Sequence, residues 1–384
     1  MNCMINYGII WGSILSSVFF FGGVESNNSP LIPEGMQTGV QSDPEIRYFD
    51  EENFTVYGKY HEEDSYGRLP SKCKDIVRPV VWKLSKNSAG INIRFQTSSP
   101  EVWVKWELHS FASKSNMSDI GALGIDLYCN VKGAWQYVNS GVPKSKMNEV
   151  MLISDMDQIS KKMLVNLPLY GGVSKIEIGV PVGYTVEKYE ETPELENPIV
   201  FYGTSITQGA SASRPGMAYP SIISRNLNME TVNLGFSGNG KFEASVCESL
   251  CDMEPSLLVL DCTPNSSPEI IAENALNFIL NFRKCHSNVP VILMESIIRE
   301  YSYFRKADAS VFGSSAYIQR QNSALKKVYT EAMKMGVPDL HYMDGQNLIG
   351  QDHEATVDGT HLSDLGMMRI AERVQNMIRQ VLNL

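Results

Sequence analysis

A serine in a turn after a short apolar strand is the first residue whose type and position could do chemistry. Ser205 stands in the run Pro198-Ile-Val-Phe-Tyr-Gly-Thr-Ser-Ile-Thr-Gln-Gly209, in which apolar residues lead into Gly203 and Thr204. Ligands of open parallel α/β sheets bind beyond the carboxyl ends of the strands, so a hydroxyl placed there can act as a nucleophile. Since Gly-Thr-Ser turns also occur for conformational reasons alone, the assignment depends on partners elsewhere in the chain.

An aspartate and a histidine near the C-terminus are the candidate partners. Asp358 and His361 lie in Val357-Asp-Gly-Thr-His-Leu. In a turn, this spacing can place the carboxylate beside one imidazole nitrogen, which fixes the tautomer and leaves the other nitrogen to accept a proton from a serine. Alone, the pair could equally be a capped turn before a helix. In the order Ser, Asp, His it indicates nucleophilic catalysis by Ser205.

Acyl transfer also needs hydrogen-bond donors for the negative charge that develops on the carbonyl oxygen. Two more predicted strands end in polar or glycine clusters, Asn233-Leu-Gly-Phe-Ser-Gly238 and Asp261-Cys-Thr-Pro-Asn265. The backbone N–H groups of Ser205 and Gly238 and the side-chain amide of Asn265 form a suitable oxyanion hole, and a glycine lets the substrate approach the backbone. Asn265 could instead be only a turn residue after a proline.

The elements that must position these residues alternate between strands and helices from Pro198 onward. Buried strands are predicted at Ile199–Tyr202, Thr231–Leu234, Leu257–Leu260, Val289–Met294 and Leu340–Met343. Helices are predicted at Ala218–Leu227, Pro268–Cys285, Ala316–Met335 and Asp364–Leu382. Such alternation builds a parallel sheet with helices on both faces. We therefore expect residues 198–384 to form a doubly wound α/β domain that carries the site.

The preceding half, residues 46–186, shows the period of two that is typical of strands. Apolar and polar residues alternate at Ile91–Phe95, Val102–Leu108, Ile125–Val131 and Ile176–Val180. Gly, Pro, Ser and Asn separate these runs, and no helical stretch is predicted between them. The pattern predicts an antiparallel sandwich of jelly-roll type as an accessory domain.

Several aromatic residues of this half could contact sugar rings. Trp103 lies on the polar face of its predicted strand, which makes it the best candidate for a stacking platform. For Trp82 and Trp106, packing in a core or against the second domain is the favoured interpretation, because aromatic side chains bury large areas in cores.

The segments outside the two domains predict export. Residues 1–27 read as a signal peptide or anchor, since Met4 to Val24 is almost entirely apolar or small, although no Lys or Arg precedes it. A cleaved signal peptide is favoured over an uncleaved anchor. Residues 28–45 indicate a tether, and the acidic stretch 187–197 indicates a linker between the domains. We therefore expect a periplasmic or secreted protein, or one anchored to the membrane through its N-terminal segment.

The composition restricts the partners. The chain has 384 residues and a net charge of -10 at pH 7, which argues against broad attraction to nucleic acid or to an anionic membrane. A small or polymeric neutral substrate fits this charge. Cys247 and Cys251 have helical spacing, but no second pair nearby completes a zinc site, and most cysteines are interpreted as small buried apolar residues.

Two other functional classes stay open. A metal-dependent hydrolase could use a set of acidic and histidine side chains near the C-terminus, namely His341, Asp344, Asp352, His353, Asp358 and His361. No pair of them has regular ligand spacing on one helix. The chain could instead be a glycan-binding protein with an inactive hydrolase domain. A phosphate cradle at Gly203–Gly209 is less favoured, because this loop lacks a phosphate-binding lysine.

Four short blocks resemble the SGNH, or GDSL-like, hydrolase superfamily. They are Gly203-Thr-Ser-Ile-Thr, Asn233-Leu-Gly-Phe-Ser-Gly238, Asp261-Cys-Thr-Pro-Asn265 and Asp358-Gly-Thr-His361. The serine, glycine, asparagine and histidine after which the family is named are here Ser205, Gly238, Asn265 and His361. The resemblance covers about Ile199 to Leu384 with every block in order. It implies an esterase or acylhydrolase on a flavodoxin-like sheet that uses no metal or organic cofactor.

The first half is similar to the sandwich domain that precedes the catalytic domain in a bacterial subgroup of this family. The similarity lies in Tyr66-Gly-Arg-Leu-Pro, Val77-Arg-Pro-Val-Val-Trp82, Asn87-Ser-Ala-Gly90 and Leu167-Pro-Leu-Tyr-Gly171. The layout resembles that of secreted carbohydrate esterases that remove acetyl groups from glycans. It implies an acylated glycan or a small ester as the substrate.

One position departs from the family's pattern. Thr204 stands where an aspartate most often precedes the serine, so the hydrogen bonding around Ser205 must differ. Ser237 is a poor rival nucleophile, since Gly235-Phe-Ser-Gly-Asn239 lacks the final glycine of a Gly-x-Ser-x-Gly elbow.

Overall fold

The computed structural model describes residues 45–384 with the exception of residues 62, 64 and 190–193. The predicted signal peptide or anchor, residues 1–27, and all but the last residue of the predicted tether, residues 28–45, lie outside the described residues. The described residues belong to one compact unit. None of the helices in these ranges is long and apolar enough to span a bilayer.

Nine strands in the first half form two antiparallel sheets. The strands are β1 (Ile46–Phe49), β2 (Thr55–Tyr57), β3 (Asn92–Thr97), β4 (Val102–Leu108), β5 (Ile125–Val131), β6 (Ala134–Gly141), β7 (Met147–Ile153), β8 (Lys161–Asn166) and β9 (Val173–Pro181). One sheet has the order β1-β9-β4-β7 and the other the order β2-β3-β8-β5-β6, with every pair antiparallel. The predicted antiparallel sandwich is confirmed.

The alternation in β4 shows how the sequence builds this core. Val104 and Trp106 are buried between the sheets, whereas Trp103 and Lys105 are half-buried on the outer face. The Trp103 indole donates a hydrogen bond to the Glu101 carboxylate at 2.9 Å. Trp106 therefore packs in the sandwich core, and Trp103 lies on the outer face as predicted.

Two short helices in this half, α1 (Pro79–Ser85) and α2 (Asp119–Leu123), correct the expectation that it contains none. Proline opens α1, where its missing N–H costs nothing. The Ser118 hydroxyl caps α2 by accepting a hydrogen bond from the Gly121 N–H at 3.1 Å. Helices of five or seven residues are too short to show a helical period in the sequence.

The second half contains a five-stranded parallel sheet. Its strands are β10 (Ile199–Gly203), β11 (Thr231–Gly235), β12 (Leu257–Asp261), β13 (Val291–Met294) and β14 (Leu340–Met343), in the order β11-β10-β12-β13-β14. The helices are α3 (Ser205–Gln208), α4 (Tyr219–Leu227), α5 (Ala244–Leu250), α6 (Pro268–Cys285), α7 (Ser315–Lys334) and α8 (Asp364–Leu382). All strand pairs are parallel, which confirms the flavodoxin-like doubly wound fold.

Two apolar cores lie on opposite faces of this sheet. Val200 and Tyr202 of β10 face the core that α5, α6 and α7 complete, and Ile199 and Phe201 face the core that α4 and α8 complete. A strand buried on both faces needs a continuous apolar run, which is why β10 was predictable.

The first half also contributes to the α/β core. Four buried side chains between β2 and β3, namely Leu69, Cys73, Val77 and Val81, pack in the core that contains α5, α6 and α7, with Trp82 against it. We call residues 69–81 the bridging segment. The predicted boundary at residues 187–197 stays a prediction. Within it, Glu187 forms an isolated antiparallel bridge with Gln96 of β3.

The cysteines divide into two groups. Cys251, which follows α5, forms a disulfide with Cys285 at the end of α6, a pairing that the sequence spacing did not predict. The free cysteines are Cys73, Cys247 and Cys262, which are buried as expected of small apolar residues, and Cys129, which is half-buried.

Candidate active site

The candidate nucleophile lies at the carboxyl end of the central strand. β10 ends at Gly203, and Ser205 is the first residue of α3. A Cβ atom at position 203 would lie 2.1 Å from the Thr207 hydroxyl, so only glycine fits this close turn. The sharp strand-to-helix turn presents the Ser205 hydroxyl at the edge of the sheet.

Thr204 explains how the chain dispenses with an aspartate before the serine. Its hydroxyl accepts a hydrogen bond from the Ile206 N–H at 3.2 Å, and the Thr207 hydroxyl accepts one from the Thr204 N–H at 3.2 Å. This reciprocal pair is a capping box at the N-terminus of α3. The threonine therefore fixes the turn that holds Ser205.

Three of the predicted residues form a continuous hydrogen-bonded chain. Ser205 Oγ lies 2.9 Å from His361 Nε2, and His361 Nδ1 lies 2.7 Å from Asp358 Oδ2. With Nδ1–H donating to the carboxylate, Nε2 is free to accept the serine proton. The Asp358 and His361 side chains come from the turn before α8, as the sequence predicted.

Asp358 is held as a carboxylate. Although partial burial raises its pKa, hydrogen bonds from the His361 N–H, the His361 ring and the Asn116 amide lower that pKa to about 2. The His361 N–H donates to Asp358 Oδ1 at 2.8 Å, which fixes the rotamer. Asp358 is therefore ionised throughout the neutral range and can stabilise a protonated imidazole.

Two of the three predicted oxyanion donors, Gly238 and Asn265, lie on segments that contact each other. Gly238 is exposed with φ +69, and a Cβ atom built there would meet no atom within 4 Å, so this position borders open space. The Asn265 amide donates to the carbonyl of Asn239. This bond uses one of the two amide protons, and the second remains available to a substrate. The Phe236 N–H donates to the Gly203 carbonyl at 3.0 Å, which holds the Gly238 loop against the nucleophile turn.

Asn116 is a site residue that sequence reasoning missed. Its side-chain amide donates to Asp358 Oδ2 at 3.0 Å and lies 3.2 Å from His361 Nδ1. It comes from the loop between β4 and β5 of the sandwich, and its carbonyl accepts a hydrogen bond from the Ser211 hydroxyl at 2.7 Å. A lone asparagine in a Ser-rich loop carries no signal that it reaches the candidate catalytic carboxylate in the other half.

Asp261 is a second missed residue, buried behind the nucleophile turn. The Thr207 hydroxyl donates to its carboxylate at 2.7 Å, and the Tyr219 hydroxyl lies 3.2 Å from the same oxygen. Burial raises the pKa of Asp261 to about 7, although these two hydrogen bonds lower it. The carboxyl group thus supports Thr207, the second residue of the α3 capping box, and does not border the substrate space.

The residues of the metal alternative are dispersed. Asp352 pairs with Arg369 at 2.6 Å, and His353 Nδ1 lies 2.8 Å from Glu300. Asp358 and His361 belong to the chain of hydrogen bonds at Ser205. In the part of the protein that the structure describes, no group of three or more His, Cys, Asp or Glu side chains is placed to share a metal ion.

Comparison with known sequences matches both halves of the chain. Residues 196–379 match the GDSL-like lipase/acylhydrolase family, and residues 46–186 match the N-terminus of the SGNH-hydrolase type of esterase. No curated protein matches the chain.

Solved structures share the whole architecture. A protein assigned as a GDSL-like lipase from Bacteroides ovatus is 35% identical with a TM-score of 0.83, covering 88% of this chain and 98% of that one. A salicylyl-acyltransferase from a tetracycline biosynthetic pathway is 18% identical with a TM-score of 0.69, covering 88% and 97%. An acetyl xylan esterase from the rumen bacterium Butyrivibrio proteoclasticus is 12% identical with a TM-score of 0.55, covering 88% and 99%. The last two are similar to this chain in fold.

Proposed function

The chain belongs to the GDSL-like lipase/acylhydrolase family and is an ester hydrolase, and from this we propose that it removes short acyl groups, acetyl above all, from carbohydrate. The observation that carries the proposal is the hydrogen-bonded chain from Ser205 through His361 to Asp358. It has the geometry of a nucleophile, a general base and the carboxylate that orients the base.

In the proposed mechanism, Ser205 Oγ attacks the ester carbonyl carbon while His361 Nε2 takes the serine proton. The tetrahedral intermediate collapses, the bond to the sugar oxygen breaks, and the protonated His361 returns its proton to that leaving oxygen. A water molecule then loses a proton to His361 and attacks the acyl-enzyme. Release of the carboxylic acid restores Ser205.

The oxyanion of each tetrahedral intermediate requires donors in place before the reaction. We assign this role to the N–H groups of Ser205 and Gly238 and to the second amide proton of Asn265. The position of Ser205 at the start of α3 supports the assignment, since first-turn N–H groups have no partner within the helix. Loss of one such donor typically lowers kcat about a hundredfold or more.

The carbohydrate part of the proposal rests on the shared architecture. An acetyl xylan esterase combines the same sandwich and α/β sheet over nearly its whole length. The half-buried Trp103 on the outer sandwich face remains a candidate platform for a sugar ring.

We also propose that the protein acts outside the cytoplasm. The apolar N-terminal segment supports export, and a disulfide between Cys251 and Cys285 fits an oxidising compartment. Cell fractionation of the native host tests this, and recovery of the protein with the cytoplasmic fraction would contradict it.

Hydrolysis of 4-nitrophenyl acetate, butyrate and octanoate by the wild type and by Ser205→Ala tests the esterase proposal. We expect activity that falls from acetate to octanoate, resists chelator and is lost in the variant. Acetate release from acetylated oligosaccharides then tests the carbohydrate part. Turnover that persists in Ser205→Ala would remove Ser205 as the nucleophile, and turnover that chelator abolishes would favour the metal alternative.

A further inference from the structure

A groove of about 780 Å³ lies beside the α/β core and the sandwich. Its lining includes two aromatic residues and four basic ones, namely Trp82, Tyr170, Lys83, Lys86, Lys114 and His109. We call it the basic groove. Its volume is in the range of ligand-binding clefts.

Two segments connect the basic groove to the candidate active site. The loop that carries Lys114 continues to Asn116, which donates to Asp358. The Gln208 side chain, which contacts the groove residue Asn87, accepts a hydrogen bond from the Ser237 N–H at 3.0 Å, one residue before Gly238. The groove is therefore connected to the segments that carry the candidate base and the candidate oxyanion donors.

A third contact ties the groove to the nucleophile helix. Asn87, which lines the groove, accepts a hydrogen bond from the Gln208 side chain of α3 at 3.1 Å and donates to the Tyr170 carbonyl. Because Gln208 and Ser205 lie on the same short helix, the groove wall is hydrogen-bonded to the helix that carries the candidate nucleophile.

The groove carries a local positive charge in an acidic protein. Lys83, Lys86 and Lys114 contribute three ammonium groups, and no Asp or Glu is among its described lining residues. The Glu63 carboxylate, which accepts hydrogen bonds from the Ser71 N–H and hydroxyl at 2.7 Å, offsets part of the charge at Lys86.

A buried guanidinium adds to this charge from behind the wall. Arg68 is fully buried and donates to the backbone carbonyls of Leu84 and Asn87 at 2.7 and 2.9 Å. Burial lowers its pKa to about 9, so the group stays protonated at neutral pH. These carbonyl acceptors are neutral dipoles and leave the positive charge unbalanced.

Two of the ammonium groups are held in place by aromatic rings. Lys86 Nζ lies 3.6 Å from the centroid of the Trp82 ring, and Lys114 Nζ lies 4.6 Å from that of Tyr170. Because such cation–π contacts already restrict the lysine side chains, these side chains lose less conformational entropy on binding an anion. The charges are therefore arranged before a ligand arrives.

We propose that the basic groove binds the carboxylates of an acidic glycan, so that the ester presented to Ser205 belongs to a uronate-containing chain. The inference rests on the proposed esterase function and narrows its substrate class. It departs from the neutral substrate that the net charge of -10 favoured, since within about 10 Å the local charges outweigh the distant ones. Separate ammonium groups suit carboxylates spaced along a polymer.

The test compares acetate release from acetylated oligogalacturonate and from acetylated xylo-oligosaccharide of matched length and acetylation. The groove variant is Lys83→Gln/Lys86→Gln/Lys114→Gln. The control variant is Lys326→Gln/Lys327→Gln/Lys334→Gln, which removes the same charge from α7. That helix packs near β14, at the sheet edge opposite β11.

We expect the wild type to favour the acidic substrate in kcat/KM, and the ratio of the two values to fall about tenfold in the groove variant. The control variant should keep the wild-type ratio. Raising NaCl from about 0.02 M to about 0.3 M should reduce the wild-type preference, because salt screens exposed charges.

An unchanged ratio in the groove variant, or a wild type without preference, overturns the groove proposal and leaves the esterase proposal standing. A stronger response to a sulfated acetylated oligosaccharide overturns the choice of carboxylate. If the wild type turns over 4-nitrophenyl acetate but releases no acetate from either oligosaccharide, the carbohydrate claim is overturned. If the wild type turns over no ester at all, both proposals are overturned.

Discussion

One oxygen of Asp358 receives two donors, the His361 ring and the Asn116 amide. The first donor belongs to the same turn, but the second comes from a sandwich loop. Two donors on one oxygen hold the carboxylate in position and stabilise its ionised form. At the scale of single residues, the candidate site is thus shared by both halves of the protein.

Asn116→Ala should lower kcat by about tenfold with little change in KM for 4-nitrophenyl acetate, because Asp358 loses a donor and its rotamer loosens. The lost hydrogen bond also raises the pKa of Asp358, but from a starting value of about 2, so the carboxylate stays ionised above about pH 4 and the kcat profile should keep its shape. Steady-state kinetics between about pH 4 and about pH 9 measure both effects.

Ser118→Ala is the matched control in the same loop. Its hydroxyl holds the Ser213 carbonyl at 2.7 Å and caps α2, but it does not touch Asp358 or His361. The control should lower the melting temperature without lowering kcat. If both variants lower kcat equally, the effect belongs to loop placement and not to the Asn116 amide.

Asp261→Asn should flatten the pH dependence of folding stability. The pKa of Asp261 is raised from 3.8 to about 7, so its contribution is fully present below about 4 and is lost as the pH rises through 7. An asparagine cannot ionise, and its oxygen can still accept from Thr207. The melting temperature should therefore fall less in the variant than in the wild type between about pH 5 and about pH 8.

Asp252→Asn provides the comparison for this measurement, since Asp252 is an exposed carboxylate that pairs with Lys72. It should keep the wild-type slope. A wild-type slope in Asp261→Asn as well would mean that Asp261 does not take up a proton on folding.

At the scale of elements, α3 depends on its cap because it has only four residues. Thr204→Val keeps the shape of the side chain but removes the acceptor for the Ile206 N–H. We expect a loss of about 1 kcal/mol in unfolding free energy and a lower kcat, since Ser205 is the first residue of this helix. Urea unfolding and ester kinetics provide the two measurements.

Thr204→Ser retains the hydroxyl and should stay near the wild type in both. A loss in the serine variant with none in the valine variant would show that the methyl group, and not the capping hydrogen bond, supports the turn.

The elements that were predictable are those with a long or regular pattern. β10, β12 and α6 were placed within one residue of their observed bounds, because buried apolar strands and an 18-residue helix leave clear signals. Helix α3 was missed because its stability comes from the capping box and from burial, and four residues are too few for a period. The strands β1 and β2 are likewise short.

The order of the candidate catalytic residues was readable because Ser205, Asp358 and His361 each lie in a local block with its own spacing. The roles of Asn116 and Asp261 could not be read from the sequence, since they come from tertiary contacts between distant segments. The same holds for the basic groove, whose lysines come from two separate segments of the chain.

At the scale of the whole molecule, the bridging segment makes the halves depend on each other. Leu69 and Val81 belong to the first half in sequence but pack in the α/β core. We expect a single calorimetric transition, with fluorescence and far-UV circular dichroism following the same curve. Two separated transitions would show that the halves fold independently.

The variant Val81→Ala tests the shared core directly. It should destabilise the protein by about 2 kcal/mol and shift the single transition as a whole, because it opens a cavity in the shared core. Thr330→Ala, an exposed substitution on α7, should leave the transition in place. A shift confined to part of the signal in Val81→Ala would contradict the shared core.

The bridging segment also limits where the chain can be divided for expression. A fusion that joined only residues 198–384 to a foreign carrier would leave behind Leu69, Cys73, Val77 and Val81. The apolar surface that they cover would then face water, and such patches drive self-association. A recombinant enzyme that is to be soluble must therefore begin upstream of Leu69, which means that it includes the sandwich.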